Sequence, residues 1–186
     1  MRILIMLAMS VFLLACNGVQ HNAMHDPSVD WSQVEIRNKP DSSNEKIELG
    51  KTGYLFFYDS NKWSVSESDN MSIVFENNDG TASAHVVYER IQVPMDRIPE
   101  YVRMKFDDMF SNAKLHDSTK KVVNGMLVNS YTITYDADFS KVIAICYSCS
   151  KKSGTIQIRV FTTENLFVEK RLELEEFLDG IANNIS

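Results

Sequence analysis

Asn124-Gly125, set between Lys121-Val122-Val123 and Met126-Leu127-Val128, constrains the fold of this chain more than any other dipeptide in it. A two-residue type I′ turn needs positive φ at both central positions, which Asn and Gly reach at the least steric cost, so the apolar residues on either side read as two antiparallel strands. The strand leaving the turn runs on through Tyr131, Ile133 and Tyr135. Two further β-rich segments follow at 141–148 and 155–163, joined by Lys151-Lys152-Ser153-Gly154 as a second hairpin. Three long strands in a meander result. Upstream, 54–58, 63–67, 71–76 and 83–92 are β-rich, with Asn77-Asn78-Asp79-Gly80 as the turn between the last two. Short alternating segments separated by turn residues predict an antiparallel sheet.

Two amphipathic helices interrupt the strands. Asp96 can cap the first and Pro99 suits its opening turn, while Val102, Phe106, Met109 and Phe110 share a face at i, i+4, i+7 and i+8. The second is expected over about 165–184. Phe167, Leu174, Phe177, Leu178, Ile181 and Ile185 form its apolar stripe, and Glu169, Lys170, Glu173, Glu175 and Glu176 its solvated face. Both stripes are expected to cover the sheet.

The N-terminus carries a different kind of information. Arg2 is followed by the apolar run 3–14, which is too short to span a bilayer and reads as the core of a secretory signal. Leu13-Leu14-Ala15-Cys16 closes it and resembles the lipobox of bacterial lipoproteins. That resemblance implies cleavage before Cys16, which then becomes the acylated N-terminus. Several acyl chains on one residue hold a protein to a membrane stably, where a single chain is marginal. An ordinary cleaved signal and an uncleaved anchor are the competing readings. Asn17 stands where an Asp would favour inner-membrane retention, so the outer membrane is expected over the inner, with the domain facing the periplasm of a bacterial envelope. The resulting division is a signal peptide over 1–15, a lipidated Cys and flexible tether over 16–46, and one domain over 47–186. The tether is polar and broken by Pro27 and Pro40, with Trp31, Val34 and Ile36 as residues that could dock on the domain. His21 and His25 fall in it at i, i+4 spacing, but with no helix signalled and no third ligand near they read as solvated.

A net charge of −6 and the lack of any dense Lys/Arg run argue against nucleic acid and against an electrostatic grip on lipid headgroups. Attachment to a membrane therefore falls to the N-terminal lipid. The chain contains no Gly-x-Ser-x-Gly elbow, Gly-rich phosphate loop, His-Glu-x-x-His or calcium-loop ladder, and no metal or cofactor site is expected. His85 lies mid-strand beside Val86 and Val87, and His116 lies in a Lys/Asp-rich connection where it is expected to be exposed. Asp107 and Asp108 are adjacent on a helix and diverge. No catalytic constellation follows from these residues.

Cys146-Tyr147-Ser148-Cys149 is the one feature that points toward enzyme chemistry, through its resemblance to a redox Cys-x-x-Cys. It closes the apolar strand Val142-Ile143-Ala144-Ile145, however, and does not open a helix. Residues three apart in a regular strand point to opposite faces and lie about 10 Å apart at ~3.3 Å per residue, too far for a disulfide unless the strand ends or bulges near Ser148. A structural disulfide and buried free thiols both stay open, ahead of redox catalysis or a metal site. As a binding surface, the aromatic stretch holding Tyr54, Tyr58, Lys62 and Trp63 is the candidate, with core burial of Trp63 the competing reading.

The residues Tyr54-Leu55-Phe56-Phe57-Tyr58, then Trp63-Ser64-Val65, a helix around 101–110, Asn124-Gly125 and the closing Phe177-Leu178-x-x-Ile181 resemble the PsbP-like superfamily of Mog, PsbP and DcrB-type proteins. The likeness covers roughly 47–186 and rests on element order. Asp59-Ser60-Asn61-Lys62 departs from the Pro-Gly-like turn that often precedes the Trp in that group. The resemblance implies an α+β fold, an α/β/α sandwich with a mainly antiparallel sheet and two packed helices. It also implies a noncatalytic binding or assembly module with an envelope protein partner. An envelope thiol oxidoreductase or other cryptic enzyme is the alternative of a different class, and a chaperone-like adaptor for apolar segments is a third.

Overall fold

The computed structural model describes residues 29–49, 52–110, 112–137 and 140–184. Strands β1 (Glu35–Arg37), β2 (Glu45–Glu48), β3 (Tyr54–Tyr58), β4 (Trp63–Ser68), β5 (Ser72–Asn77) and β6 (Ala82–Glu89) precede helix α1 (Ile98–Met109). After it come β7 (Lys114–Val123), β8 (Met126–Ala137), β9 (Ser140–Lys151) and β10 (Gly154–Thr163), then helix α2 (Glu164–Leu178) and β11 (Ile181–Asn183). Eight strands form one sheet in the order β1-β7-β8-β9-β10-β6-β5-β4, and β11-β3-β2 form a second, smaller one. Every strand pair is antiparallel except β1 with β7.

Asn124 and Gly125 adopt φ of 47° and 75°, the left-handed values that the β7–β8 turn requires. Asn124 then does more than turn the chain. Its Nδ2 donates to the carbonyls of Asp179 and Ile181, each at 2.7 Å, its Oδ1 accepts from the backbone N–H of Lys39 at 2.7 Å, and its own N–H donates to the carbonyl of Arg37. One turn residue thus holds both the strand that begins the fold and the turn that follows α2.

Strand alternation divides the core between the two faces of the large sheet. On one face Ile156, Ile158 and Val160 of β10 and Val86 of β6 meet α2 through Leu174, Phe177 and Leu178, with the small sheet adding Tyr54, Phe56 and Ile181. On the other face Tyr131, Ile133, Ala144 and Cys146 meet α1 through Ile98, Val102 and Phe106. The fold is therefore the expected α+β sandwich with a mainly antiparallel sheet between two helices, extended by the small sheet beside α2.

Four expectations are corrected. Residues 35–37 and 45–48, assigned to the tether of 16–46, are β1 and β2, so the described part of that segment is built into the sheets. Arg37 fixes it further, with Asp179 at 2.8 Å and Glu35 at 2.9 Å. His116 lies within β7 and not in a connection, although it is exposed as expected, with Nε2 2.9 Å from Thr134 Oγ1. The second helix stops at Leu178, because Gly180 turns the chain so that Ile181 pairs with Phe56 in β11. The first helix begins after Arg97, and Asp96 does not cap it.

Candidate functional site

The sequence-derived candidates scatter. Cys16, His21 and His25 lie outside the described residues. Cys146 and Cys149 are buried free thiols on opposite faces of β9, Cys146 under α1 and Cys149 on the α2 side. The strand stays regular through both, with Cys146 opposite Arg159 and Cys149 opposite Ile156, so the bulge that a disulfide would need is absent. Burial pushes each thiol up to about 12, and removal from water keeps the protonated, unreactive form. In the native protein near pH 8, alkylation of both thiols should proceed no faster than unfolding exposes them, and denaturant should release labelling of both. Rapid native labelling, read by peptide mass spectrometry, would contradict this.

The aromatic stretch lies partly in the interior. Tyr54 and Trp63 are 0% and 2% exposed, and the Trp63 ring packs at a tilt 4.3 Å from the ring of Phe177. Tyr58 is half-buried with its edge on Phe75, and Lys62 pairs with Glu176 of α2 at 3.1 Å. Tyr54 and Trp63 therefore belong to the core, the competing reading for Trp63, while Tyr58 and Lys62 remain half-exposed beside α2.

A different site emerges on the α1 face. Helix α1 packs on β8 and β9 and reaches β10 at Arg159 and β6 at Glu89, leaving the remaining part of β10, β6 and β5 open, and its last residue Met109 and C-cap Phe110 stand as a wall beside the gap. A cleft of about 610 Å³ results, within the range of small-molecule sites. Phe110 stacks on Tyr135 at 4.0 Å, and Phe161 and Val142 extend the apolar lining. Arg159 and His85, register partners on β10 and β6, lie on its floor, and the same row continues beneath α1 through Cys146 and Tyr131.

Arg159 is the unusual member of that row. It is 9% exposed, its guanidinium lies 5.1 Å from the centre of the Phe106 ring, and its Nη2 donates to Gln157 Oε1 at 2.7 Å. Its Nε is buried and has no hydrogen-bond partner. Gln157 in turn donates to Glu89, whose carboxylate also accepts from Tyr101 at 2.6 Å and lies 3.6 Å from Lys105. Beside Arg159, His85 faces the ring of Phe161 at 5.3 Å. Burial lowers its pKa, the Arg159 charge lowers it further, and Glu67 opposes both, so the ring stays neutral near pH 7. His85 thus meets a cation and a phenyl ring here, and among the described residues it makes no hydrogen bond to the hydroxyls of Ser83, Thr81 or Thr162 that share the cleft, nor to a carboxylate. Among the described residues no cluster of His, Cys, Asp and Glu has the geometry to hold a metal.

The cleft was missed in the sequence because it is the part of a sheet face that one helix fails to cover. Its one visible signal was Gln157-Ile158-Arg159, two long polar side chains on the same side of an otherwise apolar strand.

A two-layered helix cover over a mainly antiparallel sheet is an architecture that solved structures share. The chain is similar to cyanobacterial PsbP (CyanoP) from Synechocystis sp. PCC 6803, with a TM-score of 0.50, 14% identity, and 77% of this chain and 94% of that one aligned. It is similar also to the Ran-binding protein Mog1p of Saccharomyces cerevisiae, with a TM-score of 0.54 and 10% identity over 77% and 97% of the two chains. Protein PA94 from Pseudomonas aeruginosa aligns with a TM-score of 0.53 and 9% identity over 71% and 92%. No family model and no curated protein matches the sequence. The fold is that of the PsbP and Mog1p structures, and at these identities the likeness extends to the fold alone.

Proposed function

We propose that this protein is a noncatalytic binding module held at the bacterial cell envelope by a lipid on Cys16. The observation that supports binding most directly is the open cleft beside α1, which has aromatic walls and polar groups on its floor and, among the described residues, no hydrogen-bonded nucleophile–base pair. Its contents match those of a recognition site, where apolar walls supply contact area and a few polar groups set orientation. PsbP and Mog1p share the fold, and Mog1p is a Ran-binding protein, so this architecture serves protein binding in at least one case. Membrane attachment rests on the Leu13-Leu14-Ala15-Cys16 segment and on the insufficiency of any weaker anchor in an acidic chain. The outer membrane, with the domain in the periplasm, is the location proposed.

Two arms test this reading. Cys16→Ser should convert a detergent-extracted, processed protein into an unprocessed or soluble one, and a processed variant retained on the membrane would overturn the lipid anchor. A photo-crosslinking residue at Met109, on the cleft wall, should give adducts in intact cells. The same residue at Val168, exposed on α2 on the opposite face, serves as the control. Equal labelling from both positions, or turnover of an envelope substrate abolished by His85→Ala in a folded protein, would overturn the binding-module reading.

A further inference from the structure

A buried arginine is costly unless something compensates its charge. Removing a guanidinium from water costs several kcal/mol, and the loss is ordinarily recovered by a carboxylate at hydrogen-bond distance. Elsewhere in this protein that rule is followed, since Arg37 sits between Asp179, Glu35 and Glu175. Arg159 breaks it. Among the described residues no carboxylate reaches ion-pair distance of it, its register neighbours are the neutral Cys146 and His85, and the amide of Gln157 is its hydrogen-bond acceptor. The nearest linked acid, Glu89, is one residue removed through Gln157 and already engaged by Tyr101 and Lys105. The Phe106 ring offsets part of the charge but offers no acceptor.

This cation without a carboxylate partner is one of the residues that line the cleft, together with Phe161, Tyr135 and Phe110. Positive charge at the floor and apolar rings on the walls together define a molecule with an anionic head and an apolar body. Resting on the reading of the domain as a binding module, we propose that the cleft binds an amphipathic monocarboxylate. The carboxylate would lie against the Arg159 guanidinium next to His85, and the hydrocarbon along Phe161, Val142 and the stacked Phe110–Tyr135 pair. A guanidinium presents its donors in a planar fork that matches a carboxylate's two oxygens, which favours this head group over a neutral or cationic one. Glu76, exposed at the rim, repels a second negative charge and favours a monoanion with an uncharged tail.

The full chain in non-ionic detergent, labelled with ¹³C at its methionine methyls, provides a local readout because Met109 stands at the cleft and Met126 lies in the core on the other side of the sheet. Octanoate, octanol and octylammonium are titrated against it. Octanoate should shift Met109 and leave Met126 in place, with a Kd at least tenfold below those of octanol and octylammonium. In Arg159→Met, which keeps an unbranched stem over Phe106, octanoate should fall to the affinity of octanol while octanol binds as before. Arg159→Lys should retain part of the preference. A parallel titration with 2-naphthoate and 2-naphthylmethanol separates an acyl chain from an aromatic acid as the source of the carboxylate, and a preference for either acid supports the site. Equal affinities of octanoate and octanol in the unmodified protein, a preference that survives Arg159→Met, or shifts at Met126 alone would overturn it. The comparison in the unmodified protein needs no variant to fold. Octanol binding without any preference for octanoate would sink the carboxylate site and leave the binding module standing. Conversion of the octanoate into a product would do the reverse.

Discussion

Phe177→Ala should lower the stability of the domain by about 3–5 kcal/mol, the range for removing a fully packed Phe. The ring of Phe177 stands at 4.8 Å from Phe56, 4.3 Å from Trp63 and 5.1 Å from Phe75, so it touches the small sheet and two strands of the large one at once. Few neighbours can collapse into the space it leaves, because Phe56, Trp63 and Phe75 are each fixed by strand pairing. At about 2–4 °C per kcal/mol for a chain of this length, thermal unfolding should move down by roughly 10 °C. Chemical denaturation of Phe177→Ala beside Phe177→Leu would check it. A loss under about 1 kcal/mol for the alanine variant would mean that α2 is not fastened through this ring.

Gly180→Ala should be comparably severe for a different reason. A Cβ on residue 180 would lie 1.9 Å from the carbonyl oxygen of Phe57 and 3.1 Å from that of Phe177. Neither atom is a side-chain end that can swing aside. The same peptide accepts the Phe57 N–H at 2.9 Å, and the next residue begins the pairing of β11 with β3. Relieving the overlap therefore requires separating strands, which puts the cost at the upper end of the usual overpacking range, about 3 kcal/mol. Gly80→Ala is the control. It has φ of 72° but open space around it, so only the left-handed backbone penalty of about 1–2 kcal/mol applies. If the two substitutions cost the same in equilibrium unfolding, the close approach at Gly180 does not decide the path of the chain after α2.

What the sequence disclosed, and what it withheld, follow from how local each signal is. The Asn124-Gly125 turn and the β8–β9–β10 meander were legible because positive φ and period-two alternation are written in adjacent residues. Glu35-Ile36-Arg37 and Glu45-Lys46-Ile47-Glu48 were not, since three or four residues with one apolar side chain carry no period and owe their extended form to β7 and β3, far along the chain. The first half of β7 was hidden by its polar surface, with Asp117 at positive φ and a register shift between His116 and Thr119. The helical period of α2 ran on through Ile181 because an apolar residue three positions after Leu178 suits a helix as well as a strand. Tyr54 and Trp63 show the same limit from the other side: their aromatic character was plain, but whether it faces water depends on distant partners, Tyr88 and Lys151 for Tyr54 and Phe177 for Trp63. Regular extension of β9 through Cys146 and Cys149, by contrast, was inferable from spacing, and the two thiols do point to opposite faces.

The pairing of β1 with β7 at the edge of the sheet would also shorten the proposed tether. With Cys16 acylated as proposed, thirteen peptide steps separate it from Val29, which is already buried against the fold, and such a length spans at most about 45 Å. A free strand running to residue 46 would reach about 100 Å. The chain enters the large sheet at β1, while the floor of the cleft is carried by β10 and β6, four to five strands further along and roughly 20–25 Å away at about 4.8 Å per strand. The point of restraint and the mouth of the cleft thus lie toward opposite edges of the molecule. Were the chain anchored as proposed, close tethering to a bilayer would be compatible with an open entrance, because the width of the sheet would separate the two.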